Sequence, residues 1–402
     1  MKDTSKKTRP LKRHFILMKV LRFLVGWFFR LRFNFKFMKI KLQETPSLVL
    51  INHNSDYDPI FTGMIFKDHL YFVTSEHLLG IKVFGKLIRY IFDPIIRVKG
   101  TTESRAAIEI LKTLKKGLNV CLFAEGNRSY NGETDVISPA TAKLVKRSGA
   151  ALVTYNIKGA YLSTPRWGNG VRRGMVKGDL VNFYSKEQIA ELSNEEINEI
   201  IVNDLYVNAY EDQKKYNVKY LTRNKDYAEG IETALYICPN CGSISTIKSK
   251  GNRFYCSCGL DMIYTEYGWL ANVNGEPPKF DNILDWDRWQ LIELHRILSE
   301  STDTLKEVFS DSSQTLYEIG PEAQRTEIIT GTLHFFRDRL VFTNDNNTVD
   351  FYFSNIDDIE VTGRMTNTFV TKDKKYYEIK ALAPRPAKKY RDSFRILQGK
   401  TN

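Results

Sequence analysis

Residues 48–58 read LVLINHNSDYD and residues 120–129 read VCLFAEGNRS. Each is a short apolar run that stops abruptly at polar residues: His53, Asp56 and Asp58 in the first, Glu125, Gly126, Arg128 and Ser129 in the second. Apolar runs of this length, bounded by turn residues, read as strands. Pro59 directly after Asp58 marks a helix start, because its fixed φ suits the first helical turn. Working outward, the spacing predicts strands at Leu48–Asn52, Tyr71–Thr74, Val120–Phe123 and Leu152–Ile157. Between them it predicts helices at Pro59–Phe66, Ile81–Tyr90 and Thr102–Lys115. Strands alternating with helices define an α/β domain, in which ligands bind beyond the carboxyl ends of the strands.

Three polar clusters fall at such ends. His53 and Asp58 are spaced H-x-x-x-x-D. An imidazole can take a proton from a hydroxyl near neutral pH, and a carboxylate on its other nitrogen fixes the tautomer. The same pair could equally serve as a helix cap and its hydrogen-bond partner. In the second cluster Gly126 permits a tight turn, while Arg128 and Ser129 offer donors that suit a phosphate. A structural turn tied by a Glu–Arg ion pair is the alternative. Arg97 ends the run PIIRVKG at 94–100 and could bring a second guanidinium to the same anion.

The ordered set NHNSDYD at 52–58, Arg97, and FAEGNRS at 123–129 resembles the blocks of the glycerolipid acyltransferase family, and in particular its 1-acylglycerol-3-phosphate (lysophosphatidic acid) acyltransferases. The resemblance covers residues 35–180. It implies transfer of a fatty acyl group from acyl-CoA or acyl carrier protein to the free hydroxyl of a lysophospholipid, giving phosphatidic acid. It implies His53 as general base, Asp58 as its orienting carboxylate, and Arg97, Glu125, Gly126, Arg128 and Ser129 around the glycerol phosphate. Two positions depart from the family pattern: Ala124 stands where proline is usual, and Val153-Thr154-Tyr155 replaces a Val-Pro-Val type strand. The second departure leaves chain-length preference open. Glycerol 3-phosphate or another lysophospholipid as acceptor, and a noncatalytic lipid-binding scaffold, are the rival readings.

The net charge of +12 is carried entirely by residues 1–41, which hold thirteen Lys and Arg against the single acid Asp3. A general nucleic-acid binder would spread its excess over the folded domain, so no nucleic-acid partner is expected. Residues 12–29, KRHFILMKVLRFLVGWFF, place Lys12, Lys19, Arg22 and Arg30 on one side of a helix and apolar residues elsewhere. That is the composition of a helix lying in a membrane surface, with a packed core helix and a single-strand nucleic-acid grip as alternatives. From Leu31 the period becomes two, which reads as a strand. The apolar run 23–29 is short and lacks a cleavage site, so neither a signal peptide nor a spanning helix is expected. The expected location is the cytoplasmic side of the cell membrane, peripheral or monotopic.

Cys238, Cys241, Cys256 and Cys258 form C-x-x-C and C-x-C pairs separated by fourteen residues, each pair followed by glycine. Four thiolates from two turns suit structural zinc in a zinc-ribbon-like knuckle, with another metal or a redox pair as alternatives. Cys121 reads as a small buried hydrophobe. Arg166, Arg172 and Arg173 could face headgroups, carrier phosphates or solvent. Beyond a helix at 286–309 and a polar stretch at 310–314, six short strands between 333 and 379 predict an all-β module with a basic helical tail at 387–397, resembling a pleckstrin-homology-like domain. The expected division is a membrane-associating segment at 1–45, the acyltransferase domain at 46–230, the zinc ribbon at 231–265, a helical linker at 266–328 and the β-rich domain at 329–402.

Overall fold

The computed structural model describes residues 12–75, 82–97, 104–320 and 324–400. They divide into two compact units, one of Met1–Arg166 with Gly170–Thr222, the other of Trp167–Asn169 with Arg223–Asn402.

In the first unit seven strands form one sheet: β1 (Phe35–Phe37), β2 (Ser47–Ile51), β3 (Leu70–Ser75), β4 (Ile95–Arg97), β5 (Asn119–Phe123), β6 (Ala151–Lys158) and β7 (Val176–Tyr184). Their order is β1-β7-β6-β2-β5-β3-β4. From β6 to β4 every neighbour is parallel, so the carboxyl ends of β2, β4 and β5 lie along one edge. Alternate residues serve opposite faces, as the pleat requires. Val49, Ile51, Cys121, Phe123 and Val153 meet Phe29, Phe33, Phe61 and Ile65 on one side. Leu48, Leu50, Val120 and Leu152 meet Ile110, Leu114, Val145 and Ile201 on the other. Each such side chain contributes about 1.5–3 kcal/mol by leaving water, which explains why near-continuous apolar runs marked these strands in the sequence.

The basic N-terminal segment forms a helix, Lys12–Phe33. It runs past Leu31, where the period-two pattern placed a strand, and stops at Asn34, whose φ of 47° is a left-handed helix terminator. The strand follows as β1. Met18, Phe29 and Phe33 are buried against the domain. Arg22 belongs to this inner stripe too: it donates to the carbonyls of Gly63 (2.8 Å), Lys67 (3.1 Å) and Phe66, carbonyls at and just beyond the end of the helix Asp58–Ile65. The outer face carries Ile16, Val20, Phe23, Leu24, Trp27, Phe28 and Leu31, with Phe23 80% and Trp27 71% exposed. Thus the packed-helix reading holds for one face, and an apolar surface remains on the other. Among the described residues no helix is long and apolar enough to cross a membrane.

A capping box of Ser193 and Glu196 opens the helix Asn194–Leu205, and a second helix, Ala209–Tyr216, follows with Asn208 as its cap.

In the second unit β8 (Lys248–Lys250), β9 (Arg253–Tyr255), β10 (Asp261–Tyr264) and β11 (Leu270–Asn272) make a small antiparallel sheet. A helix, Ile283–Glu300, leads to a seven-stranded antiparallel sheet. Its strands are β12 (Phe309–Ile319), β13 (Arg325–Phe335), β14 (Arg339–Thr343), β15 (Thr348–Tyr352), β16 (Ile356–Thr362), β17 (Thr366–Thr371) and β18 (Tyr376–Ala381). The order β15-β14-β13-β12-β18-β17-β16 pairs the first strand with the last. The sheet thus begins at Phe309, inside the stretch read as a helical linker. Strand β12 was hidden because register shifts at Asp311/Gln314 and Leu316/Tyr317 break its alternation.

The closing helix, Ala387–Leu397, buries its charges. Lys388 bonds Asp287 and Asp392, both at 2.7 Å, and Lys389 bonds Asp311 at 2.8 Å. Arg391 pairs with Asp392, whose other oxygen accepts from Tyr236 Oη at 2.8 Å. One apolar core joins Tyr236 and Ile237, Leu294 and Leu298, the sheet residues, and Tyr390 and Phe394. The segments expected as separate ribbon, linker and β domain therefore share a single interior.

Candidate active site and metal-binding cluster

Strand β2 ends at Ile51, and Asn52 pins that end to β6: its amide nitrogen donates to Ile157 O (3.0 Å) and its oxygen accepts from Ile157 N (2.7 Å). His53 follows with its main chain held on both sides by the loop after β5. Its N–H donates to Glu125 Oε1 at 2.5 Å, and its carbonyl accepts from Ser129 N at 2.9 Å. The imidazole stacks on Phe123, centroids 4.5 Å apart, and its Nδ1 lies 2.9 Å from Asp58 Oδ2.

Asp58 opens the helix Asp58–Ile65, and the same oxygen accepts from Asn54 N (2.7 Å) and Ser55 N (2.8 Å). Three donors thus converge on one oxygen of this buried carboxylate. The hydrogen bond assigns the ring proton to Nδ1 and leaves Nε2 as the basic nitrogen. The His53 side chain is 18% exposed. The pair anchors the helix start, and the same His53–Asp58 contact is the geometry that the acid–base alternative requires.

Glu125 lies beneath the site. Its second oxygen accepts from Asp135 N at 2.8 Å, so each oxygen of its carboxyl meets a main-chain N–H. Burial pushes this carboxyl well above the usual range, against the pull of those two donors. Its geometry is that of a brace for the loop. Gly126 has φ +71°, and a Cβ there would sit 2.7 Å from Arg97 Nη1. The absence of a side chain lets the guanidinium of Arg97 approach the turn. Arg128 pairs with Asp56 at 2.9 Å. Ser129 is buried, and its Oγ accepts from Gly132 N at 2.9 Å, so its hydroxyl shapes the turn from behind. The structure thus brings His53, Asp58, Arg97, Gly126 and Arg128 to one edge, with Glu125 and Ser129 supporting them.

Sequence reasoning missed Asn52 as a pin, although an amide closing an apolar strand was its signal. It also left Arg166 undecided among three settings. Arg166 is buried, donates to Arg128 O at 3.0 Å and lies 3.9 Å over the Tyr130 ring. Arg172 is buried as well, whereas Arg173 is exposed and donates to Leu31 O at 3.0 Å. A further tie, Ser55 Oγ to Thr164 Oγ1 at 2.7 Å, connects the His53 loop to residues no motif pointed at.

In the second unit the Sγ atoms of Cys238, Cys241, Cys256 and Cys258 all lie within 4.8 Å of one another. Cys238 and Cys258 are 3.5 Å apart and Cys241 and Cys256 3.9 Å. A tetrahedral ion with metal–sulfur bonds of about 2.3 Å requires sulfur–sulfur edges of about 3.8 Å. The cluster fits a metal with four thiolate ligands. Cys121 is fully buried in the sheet, where desolvation pushes its thiol far up, consistent with a packing role.

Residues 32–158, which carry this histidine–carboxylate pair and both guanidinium groups, match the Acyltransferase protein family, so the first unit contains a domain similar to that family. Among curated proteins the chain is similar to a 1-acyl-sn-glycerol-3-phosphate acyltransferase of Borreliella burgdorferi, 20% identical over 165 residues, covering 39% of this chain and 66% of that one. Among solved structures it is similar to the 1-acyl-sn-glycerophosphate (LPA) acyltransferase of Thermotoga maritima, at 19% identity and TM-score 0.38, covering 53% of this chain and 84% of the other. A second solved structure, inner membrane complex sub-compartment protein 3 of Toxoplasma gondii, matches 27% of this chain and 87% of its own length at 9% identity and TM-score 0.18.

Proposed function

We propose that the protein transfers a fatty acyl group from an acyl thioester, acyl-CoA or acyl carrier protein, to the free hydroxyl of 1-acylglycerol-3-phosphate, yielding phosphatidic acid. The observation that carries this reading is the ordered His53–Asp58 pair, clamped by main-chain bonds to the loop bearing Gly126 and Arg128. His53 Nε2 takes the acceptor's hydroxyl proton as the oxygen attacks the thioester carbonyl. The carbon–sulfur bond then breaks, and the departing thiolate receives the proton from the imidazolium. Asp58 stabilises that transient cation. Arg97 and Arg128 neutralise the acceptor's phosphate, and the bare backbone at Gly126 lets it come close.

The outer face of the N-terminal helix supports a membrane-surface location: exposed Phe23, Trp27 and Phe28 would enter the acyl boundary while Lys19 and Arg30 meet anionic headgroups. The cytoplasmic leaflet is the face we assign. Zinc is the metal we assign to the cysteines, as a closed structural site in a ribbon-like sheet. The seven-stranded antiparallel sheet with its closing helix supports a pleckstrin-homology-like reading of the C-terminal module.

The test is acyl transfer from oleoyl-CoA and from oleoyl-acyl carrier protein to lysophosphatidic acid on anionic vesicles, comparing wild type with His53→Ala. Loss of a general base should lower the rate by about 10²–10⁴-fold. Absence of product from wild-type protein with either donor would overturn the reading.

A further inference from the structure

Three links join the loop after β2 to the loop after β5. Two are the main-chain bonds at His53, to Glu125 Oε1 and from Ser129 N. The third is the ion pair of Arg128 Nη1 with Asp56 Oδ2 at 2.9 Å, in which Arg128 is 15% and Asp56 72% exposed. An ion pair with one partner so open to water contributes little to stability, and the first two bonds already fix the loops. Architecture does not account for it. Yet it occupies the guanidinium that the acceptor's phosphate needs.

We propose that Asp56 is a charge-selecting residue of the acceptor site. It holds Arg128 while no acceptor is bound, yields it to the phosphate, and then stands beside that phosphate as a fixed negative charge. This rests on the acyltransferase reading given above and names what that site discriminates. Repulsion is greatest for a phosphate monoester, which approaches two negative charges, and smaller for a diester carrying one. It turns to attraction where the headgroup carries an ammonium, as in lysophosphatidylethanolamine. Asp56 therefore favours a zwitterionic lysophospholipid over lysophosphatidic acid, relative to the same site without it.

The experiment uses full-length wild type, Asp56→Asn, Arg128→Gln and the double variant. Calorimetry with glycerol 3-phosphate reads binding, and kcat/KM is measured for lysophosphatidic acid and lysophosphatidylethanolamine on identical vesicles. Asp56→Asn should bind glycerol 3-phosphate about fivefold more tightly. The ratio of kcat/KM values should move about fivefold toward lysophosphatidic acid. Arg128→Gln should abolish the gain in binding. Weaker binding in Asp56→Asn would make Asp56 an orienting partner of Arg128 and overturn the proposal, as would an unchanged acceptor ratio. Wild-type protein that neither binds glycerol 3-phosphate nor acylates either lipid would instead remove the functional reading itself, and the role of Asp56 with it.

Discussion

The helices Lys12–Phe33 and Ala387–Leu397 are both rich in lysine and arginine, and their environments are opposite. The first turns aromatic side chains outward, and Arg22 is drawn inward by free carbonyls. The second buries Lys388, Lys389 and Arg391 among Asp287, Asp311 and Asp392. What separates them is the supply of acids. Residues 1–41 contain one, whereas acids and bases balance over the rest of the chain. In the closing helix, basic residues that meet distant carboxylates become interior structure, whereas Lys19 and Arg30 of the N-terminal helix remain at the surface. Local charge alone does not distinguish the two.

The contrast can be attacked at several strengths. The largest effect should come from removing the zinc we assign to the four cysteines. Apparent binding energies of structural zinc reach about 10 kcal/mol, and Tyr236 and Ile237, adjacent to Cys238, share a core with Tyr390 and Phe394. A chelator should therefore expose amides of the C-terminal helix to hydrogen exchange while protection in the N-terminal helix stays unchanged. Equal loss in both would erase the distinction.

Next in size is Asp392→Asn, which leaves Lys388 and Arg391 short of a buried counter-charge and should destabilise the second unit by about 3–5 kcal/mol. Burial by itself would raise the Asp392 carboxyl, but Lys388 and Arg391 overcome it and hold it down at about 2. A carboxyl depressed in the folded state adds stability that is complete above its unfolded value near 4 and disappears as pH falls through 2. Urea midpoints of the second unit should accordingly drop between pH 4 and 2 in wild type, and drop less in the variant.

The N-terminal helix should respond in the other order. Phe23→Ser with Trp27→Ser removes exposed apolar area and should weaken partition onto anionic vesicles by about 3 kcal/mol, with Tm scarcely altered. Lys19→Gln should cost only about 1 kcal/mol of vesicle binding and less than about 0.5 kcal/mol of stability. A large fall in Tm from either change would mean that this face is interior after all.

The inner strands β2, β3, β5 and β6 of the first sheet were legible because they read as unbroken apolar runs, whereas β7 was not, because its buried positions alternate with partly and fully exposed ones. The His53–Asp58 pair was legible because polar residues at the ends of such runs stand out. Strand β12 was not, because its bulges interrupt the period on which the reading depends. The helix at 12–33 was seen, but which face it buries was not, because Arg22 is drawn inward by carbonyls some 41 residues away in sequence. Glu125 and Ser129 were found as members of the site, yet their supporting geometry depends on main-chain partners that residue identity does not disclose.

The clamp on His53 also sets a length. Because its N–H and its carbonyl are both tied to the loop that carries Arg128, thermal motion of that loop carries the imidazole along with it. On the function proposed above, this hydrogen-bonded ring would gauge an acceptor like a ruler: its hydroxyl would have to stand from its phosphate at the interval between His53 and Arg128.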